Sequence, residues 1–158
     1  MLVDQLIILG VETALIYRKI NKQKRKDDMS MMDKMDKKEQ AVEYKHNGCN
    51  CCQAVLMVYK DELGLSDETI KKLGAAYGVG MGCMGATCGS LIGAQMVLGA
   101  EKYEGRPILS KARELFYGFE KKSGATICKD LKGIETGKVL CECDDCVRNA
   151  VEAYEEIK

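Results

Sequence analysis

The stretch that decides the fold is residues 87–94, Thr-Cys-Gly-Ser-Leu-Ile-Gly-Ala. Gly89 and Gly93 in this stretch, and Gly85 before it, are spaced four residues apart. Residues at this spacing share one face of a helix, and glycine on such a face lets another backbone approach closely. We therefore predict a helix over residues 88–103 that packs closely against a neighbouring backbone.

Capping signals outline two further helices before this stretch. Asn50 can cap a helix over residues 51–64 that ends at Gly64, and Ser66 can cap a second helix that ends near Tyr77. Both residue types satisfy the free N–H groups at a helix start. A glycine-rich turn from Gly78 to Gly85 then leads into the helix over residues 88–103.

After this stretch, three more helices are predicted. Pro107 can open a helix that runs to Lys122 and is closed by Gly124. A short helix is expected to start at Cys128, and the last helix is expected to follow Asp145. Because no run alternates with the two-residue period of a strand, we predict an all-α, compact multi-helix domain.

The composition fits one folded domain and excludes several classes of protein. The chain has 158 residues, of which 46% are hydrophobic and 30% are charged, which argues against disorder. Lys+Arg and Asp+Glu both number 24, so no global charge favours nucleic acid or a membrane. No nucleic-acid module is visible, and the longest charge-free run near the start is too short for a membrane-spanning helix.

The first 38 residues are interpreted as an extension of the domain. Residues 2–20 have the spacing of an amphipathic helix, and a polar, basic linker follows up to residue 38. Attachment of this segment to a membrane surface is a weaker alternative. The helical, cysteine-rich domain is expected to span residues 39–158.

The unusual feature of the composition is its cysteine content, with nine cysteines in 158 residues. An odd number cannot all pair within one chain, and the start shows no secretory signal. A cytoplasmic location is therefore expected, where thiols stay free, bind metal or carry out redox chemistry.

Four of these cysteines are predicted to lie at helix starts. Cys51 follows Asn50, Cys88 follows the capping residue Thr87, and Cys146 follows Asp145, while Cys128 is expected to open a short helix. A helix N-terminus carries a partial positive charge and lowers the pKa of a thiol. If four such helix starts meet at one point, their partial positive charges would stabilise thiolates or a cluster that the thiolates hold. Filling of the core is the alternative role for each cysteine.

The remaining cysteines are assigned by position. Cys141, Cys143 and Cys146 form a C-x-C-x-x-C, a spacing suited to chelation or to a dithiol–disulfide pair. Cys52 lies in the apolar stripe of its helix and is assigned to the core, and Cys49 to a loop. The single histidine, His46, is expected to be an exposed polar residue.

The turn contains a G-x-G-x-x-G pattern over residues 80–85. A dinucleotide site needs a strand before this pattern, whereas residues 71–77 have a helical pattern. We therefore expect a turn with conformational freedom instead of a nucleotide site.

These residues resemble the C_GCAxxG_C_C family, whose members are described as redox-active. The resemblance runs from residues 50–56, Asn-Cys-Cys-Gln-Ala-Val-Leu, through residues 87–94 and 128–131, to Cys146. It covers about residues 40–158. Ser90 and Cys52 stand where the family usually has alanine, and Cys83, Cys141 and Cys143 are additional.

The resemblance implies that the family's four shared cysteines correspond to Cys51, Cys88, Cys128 and Cys146. It also implies a redox or metal-binding function. Because Cys83, Cys141 and Cys143 are additional to the family's pattern, they leave open a second site or a different set of ligands. The family is similar to the cysteine-bearing region of split-Soret cytochromes c, which suggests an iron–sulfur centre; this chain has no haem motif.

Three functions remain open from the sequence. The leading expectation is an electron-transfer protein whose four cysteines hold an iron–sulfur cluster. The alternatives are thiol–disulfide chemistry without a metal and a zinc or copper carrier or sensor. A redox partner protein is expected in the first two cases, and a homodimer is an open alternative to a monomer. No hydrolase or nucleotide-dependent signature is present.

Overall fold

The computed structural model describes residues 17–23 and 35–158, and it divides the chain into two compact units, Met1–Met35 and Asp36–Lys158. Residues 17–23 of the first unit are helical. The rest of the predicted amphipathic helix lies outside the described residues. The second unit holds all nine cysteines.

The second unit consists of helices joined by short turns. In chain order they are α1 (Lys37–His46), α2 (Cys51–Val58), α3 (Lys60–Leu63), α4 (Asp67–Gly74), α5 (Gly89–Lys102), α6 (Leu109–Ser123), α7 (Cys128–Leu131) and α8 (Cys143–Glu155). A 3-10 turn, Ala75–Tyr77, follows α4. The described residues contain no strand, only an isolated bridge between Thr87 and Ile127. The predicted all-α class is confirmed.

Capping explains where the central helices begin. The Asn50 side chain accepts a hydrogen bond from the Gln53 N–H at 2.9 Å, and the Gln53 side chain accepts one from the Asn50 N–H at 2.9 Å. This reciprocal capping box fixes the start of α2. The Asn50 amide also donates to the Gly74 carbonyl at 2.9 Å, which ties the start of α2 to the end of α4.

The structure departs from the sequence prediction at two further helices: one predicted helix is divided, and one observed helix was not predicted. The predicted helix over residues 51–64 is divided at Tyr59, whose φ of −108° departs from helical geometry. The helix α1 was not predicted, although Asp36 caps it through the Lys38 N–H and basic residues close its last turn. A mostly polar sequence masks its two buried residues, Ala41 and Val42.

Two predicted helix starts are wrong, and both affect cysteines. Helix α5 begins at Gly89, so Cys88 is itself the N-cap residue and Thr87 is not. Helix α8 begins at Cys143 and not after Asp145. Asp144 and Asp145 occupy its first turn, where their charges suit the helix dipole. The sixth helix is close to prediction, although it starts at Leu109, two residues beyond Pro107.

The glycine face of α5 meets the backbone of α2 as predicted. A Cβ on Gly89 would lie 2.3 Å from the Tyr77 carbonyl oxygen, and a Cβ on Gly93 would lie 2.8 Å from the Cys52 carbonyl oxygen. Gly85 precedes the helix and meets only Cys83. Two close backbone contacts therefore hold α5 against the 3-10 turn at Tyr77 and against α2 at Cys52, and they set the position of Cys88, the residue before Gly89.

The core lies among α1, α2, α5, α6 and α8. Tyr59, Phe119 and Tyr154 are its largest fully buried side chains. The rings of Tyr59 and Tyr154 pack edge to face with centroids 5.0 Å apart. None of the described helices has the length and apolar character required to cross a membrane.

Candidate site: a cluster of paired cysteines

The first residues of α2, α7 and α8 are cysteines, and the N-cap of α5 is a fourth. These four residues are Cys51, Cys128, Cys143 and Cys88. The helix-start position predicted for Cys146 is therefore occupied by Cys143, and Cys146 lies one turn further into α8. All nine cysteines are free thiols.

Cys88 and Cys146 form a buried thiol pair. Cys146 donates a hydrogen bond to Cys88, and this bond is the main reason that the pKa of Cys88 falls to about 6. Ser90 Oγ lies 3.2 Å from Cys88 Sγ and lowers this pKa further. The N–H groups of Ser90 and Leu91 lower this pKa as well.

The pKa of Cys146 moves in the opposite direction. The hydrogen bond to Cys88 raises it first, and burial raises it further. With 1% and 3% of their surfaces exposed, Cys146 and Cys88 are both closed off from solvent. The hydrogen bond therefore favours the thiolate at Cys88 and the thiol at Cys146, and we call these two residues the inner pair.

Cys51 and Cys143 form a second thiol pair that is only half-buried. A hydrogen bond from Cys51 is the largest cause of a Cys143 pKa of about 5, and Lys132 and Lys45 lower it further. The same hydrogen bond, followed by burial, raises the pKa of Cys51. This outer pair therefore has the same division into thiolate and thiol, with its thiolate accessible to solvent.

The two pairs are close enough for the charge of Cys88 to raise the pKa of Cys51. Cys128 lies near both, since the charges of Cys88 and Cys143 add to the effect of burial in raising its pKa. Two backbone hydrogen bonds fix Cys128 beside Cys88: Cys88 N–H to the Thr126 carbonyl at 2.8 Å and Cys128 N–H to the Ala86 carbonyl at 3.0 Å.

The glycine-rich turn covers Cys128. A Cβ on Gly80 would lie 2.6 Å from Cys128 Cβ, and Gly80 has a φ of +54°. Both facts favour glycine at this position. The predicted strand-free context of the G-x-G-x-x-G pattern is confirmed, since helix α4 and the 3-10 turn precede it.

Two lysines complete the site, and neither was predicted from the sequence. Lys132 Nζ lies 3.8 Å from Cys146 Sγ. Burial acts to lower the pKa of Lys132, but the charges of Cys146 and Cys143 outweigh it, so this pKa is raised. Lys45 pairs with Asp144 at 2.7 Å at the edge of the site. Neither lysine belongs to a motif; only the position of Lys132 four residues after Cys128, one helical turn, could have indicated a role.

The other cysteines lie outside the two pairs. Cys52 is fully buried, as predicted, with its Sγ 3.8 Å from Met96 Sδ, and burial raises its pKa to about 12. Cys49 is in the loop before α2 and buried, whereas Cys83 is exposed on the turn and donates to the Gly80 carbonyl at 3.5 Å.

Cys141 supports the inner pair from one side. Its carbonyl oxygen lies 3.7 Å from Cys146 Sγ, and its Sγ accepts a hydrogen bond from the Asn149 amide at 3.6 Å. His46 is exposed, as predicted, and lies 2.9 Å from Asp144.

Within residues 17–23 and 35–158, no group of three or more cysteine, histidine, aspartate or glutamate side chains is arranged to hold a metal ion. A tetrahedral zinc site requires four ligands around one point. The roles of Cys51, Cys88, Cys128 and Cys146 as ligands of a cluster or of a metal ion stay predictions.

Comparison with known families assigns the chain to a class. The family model described as "Putative redox-active protein (C_GCAxxG_C_C)" matches residues 49–157, and the chain belongs to this family. Searches of curated proteins and of solved structures gave no match. The family resemblance stated from the sequence is confirmed, and with it the redox character of a cysteine-rich, all-α protein.

Proposed function

We propose that this chain is a thiol–disulfide redox protein that works through the outer pair, Cys51 and Cys143, and the inner pair, Cys88 and Cys146. One observation carries the proposal: four free thiols from separate parts of the chain are joined by hydrogen bonds into two pairs, one half-buried and one buried. Dithiol chemistry requires two neighbouring thiols, because one attacks the substrate disulfide as a thiolate and the other resolves the mixed disulfide.

The outer pair is the entry point for the substrate. The Cys143 thiolate attacks one sulfur of a substrate disulfide, forms a mixed disulfide and releases the other sulfur as a thiolate. Cys51 then loses its proton and attacks Cys143 Sγ, which releases the second substrate thiolate. The products are a Cys51–Cys143 disulfide and a substrate reduced by two electrons.

The inner pair can accept this oxidation from the outer pair. The Cys88 thiolate attacks Cys51 Sγ and displaces the Cys143 thiolate, and Cys146 then loses its proton, attacks Cys88 Sγ and displaces the Cys51 thiolate. The disulfide has moved inward and the outer pair is reduced again. Burial of the inner pair protects the stored oxidation from other thiols, since exchange requires access to the sulfur.

Lys132 stabilises the thiolates in both pairs by its charge. It lowers the pKa of Cys143, and the charge of Cys88 in turn raises the pKa of Lys132, so its ammonium stabilises the thiolate of each pair. A half-buried ammonium has this effect because the surrounding dielectric constant is lower than in water.

Reduction of insulin disulfides by the protein with dithiothreitol as electron source tests the proposal. Cys143→Ser should slow the reduction at least about tenfold, because it removes the attacking thiolate. The matched control is Cys83→Ser, which removes an exposed thiol outside both pairs and should leave the rate within about twofold. Equal rates for wild type and Cys143→Ser would contradict the proposal.

The iron–sulfur cluster expected from the sequence is a second candidate. One observation favours it: Cys128, from a third helix, responds to the charges of both pairs, so more thiols converge than one disulfide needs. Four cysteine thiolates can hold such a cluster, which supplies one-electron transfer when bound. Iron and acid-labile sulfide in stoichiometric amounts in anaerobically purified protein would favour this candidate over the first.

A further inference from the structure

A cavity of about 570 Å³ lies between α5 and α6, and the proposed function leaves it without a role. Its walls include Leu91, Ile92 and Met96 from α5 and Ala112 and Phe116 from α6. The volume falls within the ~300–1,000 Å³ range of small-molecule sites. An apolar space of this size can hold the body of a small molecule.

The rim of the cavity carries one charge. Arg113 lines it, and no aspartate or glutamate does. Arg148 elsewhere in the domain pairs with Glu39, but Arg113 makes no ion pair with any residue that the structure describes. An exposed guanidinium beside apolar walls can bind a carboxylate through two parallel hydrogen bonds.

The amide of Gln95, a further polar group in the lining, is already engaged. The Gln95 amide donates to the Ala112 carbonyl at 2.7 Å and so joins α5 to α6 across the base of the site. Met81 and Met96 lie on two sides of the cavity, and their flexible thioether side chains can adjust to ligands of different shape. The site therefore selects by charge at the rim and by apolar character inside.

We propose that this cavity binds a small apolar molecule that carries one carboxylate, with the apolar body between α5 and α6 and the carboxylate on Arg113. The inference is independent of the thiol chemistry, since none of the paired cysteines lines the cavity. Thr87, the residue before Cys88, forms part of the wall.

Calorimetric titration of the full-length protein with octanoate and, separately, with 1-octanol tests the proposal. Octanoate should bind with one molecule per chain and more tightly than octanol. Arg113→Gln should weaken octanoate binding about 3–10-fold and change octanol binding by less than about twofold, as expected for loss of a partly exposed charge pair. The matched control is Arg106→Gln, an exposed arginine outside the cavity, which should change neither.

A second variant tests the apolar part of the site. Ala112→Trp places an indole in the cavity and should abolish binding of both ligands while circular dichroism shows the helical fold retained. Absence of saturable octanoate binding would overturn the proposal. Equal weakening by Arg113→Gln and Arg106→Gln would also overturn it, because the charge effect would then be general, and this comparison stands even if Ala112→Trp fails to fold.

Discussion

Replacement of Gly89 by alanine should destabilise the domain more than the addition of a single methyl group suggests. The new Cβ would lie 2.3 Å from the Tyr77 carbonyl oxygen, and the next nearest atoms are also backbone, at 3.3 and 3.4 Å. An ordinary carbon–oxygen contact is ~3.3 Å or longer, so α5 must move by about 1 Å. Overpacking of this kind costs about 1–3 kcal/mol, which exceeds the gain in helix propensity of at most ~1 kcal/mol.

We expect a net loss of about 2 kcal/mol, or about 8 °C in Tm for a domain of this size, measured by circular dichroism at 222 nm. Gly99→Ala is the matched control, since Gly99 lies in the same helix and a Cβ on it would meet no other part of the described structure within 4 Å. It should stabilise the protein by about 0.5–1 kcal/mol. If Gly89→Ala is as stable as Gly99→Ala, α5 does not approach the Tyr77 backbone as described.

Three further predictions concern the domain boundary and the site. The chain from Met35 onward should fold alone with the same helical circular dichroism; an unfolded product would show that the extension is part of the fold. Cys52→Ala should leave insulin reduction unchanged, because Cys52 is buried outside both pairs; loss of activity with the fold intact would place Cys52 in the site. Alkylation of Cys143 by iodoacetamide should stay fast as the pH falls and decline only near pH 5, since its pKa is lowered to about 5 from 9.0. Lys132→Met should move this decline to higher pH, and an unchanged profile would remove Lys132 from the site.

Local signals in the sequence were sufficient for most of the fold. The capping box at Asn50 and Gln53 marks the start of α2, and the spacing of Gly89 and Gly93 correctly predicts a close helix contact. The sequence did not predict the break in the helix at Tyr59, because the apolar pattern of residues 51–64 continues through it. Helix α1 was not predicted either, because its sequence is mostly polar and lacks an apolar stripe.

The predicted positions of the cysteines in their helices are right for Cys51 and Cys128 and wrong for Cys88 and Cys146. Cysteines at helix starts suggested thiolates, but two consecutive aspartates favour a cap before Cys146, whereas in the structure they form the first turn of α8. This difference moves the helix start from Cys146 to Cys143. The pairing of Cys51 with Cys143 joins residues distant in sequence, and only tertiary packing determines it. For the same reason no local motif could reveal the contribution of Lys132.

The division of the cysteines into two dithiol pairs is the centre of the proposed function. Mapping of disulfides by mass spectrometry, after the protein has equilibrated in a glutathione redox buffer, tests it most directly. We predict disulfides between Cys51 and Cys143 and between Cys88 and Cys146, with Cys52 and Cys83 in neither. A Cys143–Cys146 disulfide in the C-x-x-C, or five thiols at the site that all stay reduced under oxidising conditions, would contradict it.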